Sequence, residues 1–250
     1  MRRASDRLGV AVSVARLAVF SPVDNTARVD VVVRRLGDAI ALGLLADGEQ
    51  LPSEAELAGR LGVSTVTVRE ALMALRQRGL VETRRGRGGG SFARAPLEPD
   101  VSERLADLAV DELRDIGDHY AAIAGAAARL AAQRSLPSDV TPLWRSLDEM
   151  AAAESSAQLR RLDGRFHIEV AAASQSARLT REEIRLQADI GPLLWLSHED
   201  LGGHDETAAQ HRAIAEAIGA GDADLARDLA ERHVLDATDH LIELRLRLRE

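Results

Sequence analysis

The 250-residue chain contains no cysteine and no lysine, and its aromatic residues amount to two Trp, one Tyr and three Phe. Without cysteine there can be neither a disulfide nor a thiolate metal site, so a bound metal would have to be met by His, Asp or Glu. The same absence agrees with a reducing cytosol, and the expected location is cytoplasmic. Without lysine, every side-chain ammonium or guanidinium contact must come from arginine. With so few aromatics the core must be built from Ala, Leu, Val and Ile, which favours closely packed helices over an aromatic-rich sandwich. No apolar run reaches the ~18–20 residues of a membrane span. The stretch Gly9–Phe20 is apolar and follows Arg2, Arg3 and Arg7, but Arg16 interrupts it and no small-residue cleavage site follows. Residues 1–28 therefore read as a poorly ordered N-terminal extension, not a signal peptide.

What is present is unevenly distributed. The net charge is −8, yet residues 1–95 carry 15 Arg against 10 acids, a net of +5, while residues 96–250 carry 17 Arg against 30 acids, a net of −13. The basic part suits a polyanion and the acidic part would repel one. At this length two domains, each with its own core, are expected.

From Val31 to Leu45 the apolar residues Val32, Leu36, Ile40 and Leu44 recur every four positions, predicting an amphipathic helix. Asp47-Gly48 makes a turn. Ser53 is then placed to cap a short helix, Glu54–Leu61, with Glu56 completing a capping box. Gly62 ends it, and Ser64 caps a third helix, Thr65–Arg78, with Val68, Leu72 and Leu75 facing inward. Two short helices joined by a Gly-containing turn predict a helix-turn-helix whose second helix enters the major groove of DNA. The polar residues at its N-terminal end, Ser64, Thr65, Thr67 and Arg69, are the candidates for base and phosphate contacts. Leu80–Thr83 and Ser91–Ala93 read as a hairpin, and between them Arg84, Arg85 and Arg87 stand among glycines with Gly88 at the tip. Such a basic wing can touch phosphates or enter the minor groove. It is not a nucleotide-binding loop, because no Lys follows it and no helix opens after it.

Leu51-Pro52-Ser53-Glu54-Ala55-Glu56-Leu57-Ala58, Leu61-Gly62-Val63-Ser64, Val68-Arg69-Glu70-Ala71-Leu72, Gly79-Leu80-Val81 and the Arg-Gly-rich wing together resemble the GntR family of bacterial transcription regulators. The resemblance spans about Val31 to Ala93. It departs at Ala55 and Thr65, where many members carry Arg. It implies a DNA-binding regulator, with Arg69 and the wing as the strongest contacts.

Residues 95–100, with Pro96 and Pro99 and no helical period, read as a linker. Beyond it helices are predicted near Ser102–Val110, Asp111–Arg134, Val140–Ala153, Ser156–Ala173, Ala177–Ser197, Thr207–Ala217 and Asp222–Leu248. The expected fold is mainly α: a winged helix-turn-helix over residues 29–94, then an all-α antiparallel bundle of six or seven helices over residues 101–250.

Within that bundle Asp163 and His167 are four apart, on one face of a helix. Leu159, Leu162, Phe166 and Val170 would face the core, with Asp163 and His167 at the edge of that stripe, where an acid is costly unless a cation or donor meets it. His211 and His233 lie ~13 Å before and ~16 Å beyond the turn at Gly219–Asp222, so they can arrive at one level of the bundle. Three His and one carboxylate suit Zn²⁺, Ni²⁺, Mn²⁺ or Fe²⁺, and these ligand types alone do not choose among them. His119, His198, His204 and His240 have no comparable arrangement.

Asp163-Gly164-Arg165-Phe166-His167, Gln210-His211-Arg212-Ala213-Ile214, Gly221-Asp222 and His233 resemble the C-terminal domain of the FadR-like branch, the FCD type. The steps from Asp163 to His167 and from His211 to His233 match its metal-binding members, while Tyr120 and Ala124 stand where many members have Arg and Glu. The resemblance implies a homodimeric regulator, read here as a repressor of a palindromic operator. It also implies a divalent metal, with Zn²⁺ foremost, and a small carboxylate effector at the metal. A metal-dependent enzyme fused to a DNA-binding domain and a purely structural metal are the alternatives.

Overall fold

The computed structural model describes residues 28–95, 101–201 and 204–248. Residues 1–27, most of the expected linker and the break expected at Gly202-Gly203 lie outside the described residues.

The N-terminal head consists of α1 (Arg28–Ala41), α2 (Glu54–Leu61), α3 (Thr65–Gln77) and an antiparallel hairpin of β1 (Val81–Arg84) with β2 (Gly90–Ala93). Local chemistry explains most of its boundaries. The Ser53 hydroxyl accepts from the Glu56 backbone and the Glu56 carboxylate accepts from the Ser53 backbone N–H, closing the capping box at the start of α2. Gly62 ends α2 at φ 67°, a conformation that favours glycine. Val32, Val33, Leu36 and Ile40 of α1 pack with Leu57, Val68, Leu72, Leu75 and Val81 as the core of the head. The first helix is displaced from its expected range: it begins at Arg28 and stops at Ala41. Gly43 turns the chain at φ 70° and leaves Leu44 38% exposed, outside the core it was expected to join.

The remaining described residues form α4 (Ser102–Asp107), α5 (Val110–Arg134), α6 (Pro137–Ala151), α7 (Ser156–Ala173), α8 (Ala177–Asp189), α9 (Gly191–Leu201), α10 (His204–Gly219) and α11 (Ala223–Arg247). Eight helices appear where six or seven were expected. The expected helix Ala177–Ser197 is two, broken at Ile190-Gly191, and Pro192 sits in the first turn of the second piece, where its missing N–H costs nothing. Likewise, the first expected helix of the bundle ends at Asp107, and α6 begins at Pro137, three residues earlier than expected.

The two longest helices, α5 and α11, each of 25 residues, pack against each other and form the spine of the bundle. Ala121, Ala124, Ala128 and Ala131 on α5 and Ala226, Ala230 and Ala237 on α11 are buried in this core. Small side chains let the helix axes approach, and Gly117 is the tightest point. A Cβ there would lie 2.5 Å from Cγ2 and 2.8 Å from Oγ1 of Thr238. Helices α7 and α10 also pack on this spine and carry His167 and His211, while His233 belongs to α11 itself. The head touches the bundle directly, with α1 resting on α8. Burial at this contact, reinforced by Asp189 and opposed by Arg34 and Arg185, raises the Asp38 carboxyl to about 6.

Candidate metal centre

Three helices deliver three imidazoles to one point. His167 comes from α7, His211 from the middle of α10 and His233 from α11. Their Nε2 atoms form a triangle with sides of 3.3 Å (His167–His211), 3.1 Å (His211–His233) and 3.3 Å (His167–His233). His211 is fully buried, stacked on Phe166 with ring centroids 4.4 Å apart. A tetrahedral ion with nitrogen ligands at ~2.0–2.1 Å separates those nitrogens by about 3.3 Å, so the triangle already has the dimensions of three corners of such a site.

The second nitrogen of His233 explains its orientation. Nδ1 lies 2.7 Å from Oε1 of Gln210. An amide oxygen only accepts, so Nδ1 carries the hydrogen and Nε2 keeps its lone pair for the cluster. Gln210 sits beside His211 on α10, so one short segment both supplies a cluster member and orients another. The dipeptide Gln210-His211 is legible in the sequence, but its contact with His233 is not, because that depends on which helix packs opposite.

Asp163 is placed differently from the histidines. Among the described residues the group whose ligand atoms all fall within 4.8 Å is His167, His211 and His233. Asp163 Oδ1 stands 3.6 Å from His211 Nε2, buried and without a hydrogen bond. Burial pushes its carboxyl up from 3.8 to about 7. A buried carboxylate oxygen without a hydrogen bond, beside three converging imidazole nitrogens of which His233 Nε2 offers a lone pair, fits a cation between them. The four sequence-predicted ligands therefore meet, with Asp163 at the margin of the triangle.

A narrow recess of ≈ 10 Å³, space for about one water, opens beside the cluster, lined among others by Tyr120, Asp163, His167, Gln187 and His233. No arginine is among its described lining residues. Next to it is a buried network: the Tyr120 hydroxyl donates to Glu183 Oε1 at 3.0 Å, and Gln187 Nε2 donates to the same oxygen at 3.2 Å. Burial raises the Glu183 carboxyl to about 7 against the lowering effect of these two bonds, and burial together with Glu183 and Asp163 raises the Tyr120 hydroxyl well above 10. Nothing in the sequence pattern indicated this network, because its members lie 63 and 67 residues apart.

The candidate DNA-contacting residues are also placed. The Ser64 hydroxyl caps α3, accepting from Thr67 N at 3.1 Å and bonding the Thr67 hydroxyl at 2.9 Å, while Thr65 is exposed. Arg69 pairs with Glu54 through Nε and Nη2, both partners open to solvent. In the wing, Arg84 donates to Glu82 at 2.6 Å and lies 4.2 Å over the Phe92 ring. Arg85 and Arg87 are exposed on the turn, with Gly88 between Arg87 and Gly89 at φ 81°. Gly89 makes the turn possible, since a Cβ there would fall 2.4 Å from the Arg84 carbonyl oxygen.

Residues 28–89 match the family described as bacterial regulatory proteins, gntR family, and residues 115–236 match the FCD domain. The chain is 38% identical over 233 residues to RmpR of Mycobacterium gastri, named as an HTH-type transcriptional regulator. That match covers 91% of this chain and 85% of the relative. The chain belongs to the GntR family. A protein of Paenarthrobacter nicotinovorans named as a D-xylose utilization operon transcriptional repressor is 30% identical over 206 residues, covering 80% of this chain and 84% of its own. An Escherichia coli protein named as an L-lactate dehydrogenase operon regulatory protein is 32% identical over 224 residues, covering 82% and 85%. Among solved structures, Escherichia coli McbR/YncC superposes with a TM-score of 0.50 at 20% identity, covering 90% of this chain and all of that one, a likeness of fold.

As a GntR regulator with an FCD domain the protein is a transcriptional regulator, and its relatives are regulators, not enzymes. No helix among the described residues is long and apolar enough to cross a membrane. The outward face of α3 holds apolar residues besides the polar candidates. Val68, Ala71, Leu72 and Leu75 define the inward face. At about 100° per residue, Val66, Glu70 and Met73 lie directly opposite. Val66 is 57% and Met73 52% exposed.

Proposed function

We propose that this GntR regulator is a metal-dependent repressor whose operator affinity is set by a small carboxylate bound at the histidine cluster. The observation that carries the reading is the Nε2 triangle of His167, His211 and His233, with the buried Asp163 Oδ1 beside it. These four residues would hold a divalent ion, Zn²⁺ foremost. The ion would supply a Lewis-acidic point at which a carboxylate oxygen binds. No guanidinium is among the described residues that line the recess, so the carboxylate would be met by the ion, with Tyr120 and Gln187 flanking it. A repressor role agrees with the name of the Paenarthrobacter nicotinovorans relative.

The reading divides the chain into an extension (1–28), a DNA-binding head (29–94), a linker (95–100) and an effector domain (101–250). Two separate hydrophobic cores support that division. A homodimer would place two copies of α3 in successive major grooves of a palindromic operator, ~34 Å apart. Ser64, Thr65, Thr67, Arg69, Arg84, Arg85, Arg87 and Gly88 remain its candidate DNA contacts.

A route from effector to head runs through Gly164, next to Asp163. A Cβ on Gly164 would lie 3.2 Å from Gln187 Oε1 on the recess side and 3.9 Å from Leu42 Cδ2 on the head side. A shift of α7 at the cluster thus reaches Leu42 without passing through the linker. The test uses the full chain and a duplex it selects from random-sequence DNA. Binding is measured after chelation, after Zn²⁺ reloading, and with a panel of small carboxylates that includes lactate. At least one acid should weaken binding tenfold or more, only in the reloaded protein, and His167→Ala should abolish the response. Affinity that ignores both metal and every acid sinks the proposal.

A further inference from the structure

The recognition helix of a helix-turn-helix protein lays its solvent-facing side in the major groove, and its N-terminal residues approach the base edges most closely. In this protein that side is centred on Val66, Glu70 and Met73, while Thr65 and Arg69 occupy one flank and Thr67 the other. Val66 belongs to the first turn of α3, whereas Met73 stands two turns further on. A β-branched aliphatic side chain, 57% exposed, therefore occupies the place nearest the floor of the groove.

Solvent exposure of one valine is ordinary for a protein surface. Its position is what gives it meaning. Val66 has no donor or acceptor for a base edge, so it can recognise a base only by apolar contact. The major groove presents one apolar group, the C5-methyl of thymine. Val66 is also held rigidly: branching at Cβ leaves one strongly preferred rotamer in a helix, and the turn that carries it is pinned by Ser64, whose hydroxyl accepts from Thr67 N at 3.1 Å. A stiff side chain on a capped turn loses little freedom on docking.

We propose that Val66 is a specificity-determining residue that reads the methyl group of one thymine in each half of the operator. The contact discriminates thymine from cytosine and from uracil, and it is independent of the metal and of any effector.

The experiment removes that methyl and nothing else. The full-length protein selects a duplex from random-sequence DNA, and each thymine of the selected site is replaced in turn by deoxyuridine. Wild-type affinity should fall about fourfold at one thymine per half-site, the factor expected for burying one methyl group. Val66→Ala should bind the thymine duplex more weakly than the wild type and lose its sensitivity to uracil at that same position, closing a double-mutant cycle. Its salt dependence and its binding to unrelated DNA should stay as in the wild type, because the phosphate contacts are untouched. The proposal is overturned by a selected half-site without thymine, by wild-type indifference to every uracil, or by unchanged uracil sensitivity in Val66→Ala. Loss of unrelated-DNA binding by Val66→Ala would reveal a structural role and would overturn it as well.

Discussion

Gln210 holds His233: its amide oxygen lies 2.7 Å from Nδ1, and this bond turns the opposite nitrogen of the ring toward His167 and His211. Gln210→Ala should leave all three imidazoles in the chain yet weaken metal affinity about 10–100-fold, because the ring would lose the partner that fixes its tautomer and direction. Competition against a chromogenic chelator measures the change. Wild-type affinity in the variant would mean that packing alone orients His233.

Glu183 gives the bundle a pH dependence of definite sign. Burial raises its carboxyl from 4.5 to about 7, so the folded state binds a proton more tightly than the unfolded chain does. Stability is therefore fullest below about pH 4.5 and is lost as pH rises to about 7, by an amount on the order of 3 kcal/mol. Glu183→Gln can still accept from Tyr120 and Gln187 and carries no charge. Thermal melts of chelated protein between pH 5 and 8 should show a smaller fall for the variant than for the wild type. Parallel curves would refute the assignment.

The wing arginines should not be equivalent. Arg85 and Arg87 are exposed on the turn, while Arg84 is occupied by Glu82 and the Phe92 ring. Arg85→Ala and Arg87→Ala should each weaken binding to every sequence and lower the slope of log affinity against log salt by about 1. Arg84→Ala should lower it less and cost head stability instead. Binding titrations at several salt concentrations, together with thermal melts, separate the two effects.

Gly117 tests the helix spine. A methyl group there meets Thr238 Cγ2 at 2.5 Å and Cβ at 3.1 Å, so the neighbouring helix would have to move. Gly117→Ala should destabilise the bundle by about 1–3 kcal/mol, and adding Thr238→Ala should recover part of the loss. Urea unfolding of the two variants checks both statements.

What could be read in the sequence was local chemistry and strict periodicity. The capping box Ser53–Glu56, the stop at Gly62, the Ser64 cap and the range Ser156–Ala173 were all legible, since each depends on residues a few positions apart. The extension of the first helix to Leu44 failed because periodicity continued past the point where Gly43 adopts a positive φ. The division between α8 and α9 did have a signal, Gly191-Pro192, which the apolar residues Ile190, Leu193 and Leu194 concealed. The metal-type residues were found from their spacing and from the family resemblance. Gln210 facing His233 and the Tyr120–Glu183–Gln187 network were not, because each depends on which helices become neighbours. The exposure of Val66 was not legible either, because an apolar residue in the first turn of a helix is as readily buried as exposed.

The three imidazoles come from positions 44 and 22 residues apart along the chain. An ion shared among them would therefore act as a removable cross-link in a protein with no cysteine, tying α7, α10 and α11 into loops that an unfolding chain could not open while the ion stayed in place. Release of the bundle would then be governed by the ion's departure. The lifetime of the regulator in the cell would follow metal supply as well as effector level, giving one site control over both the activity of the protein and its persistence.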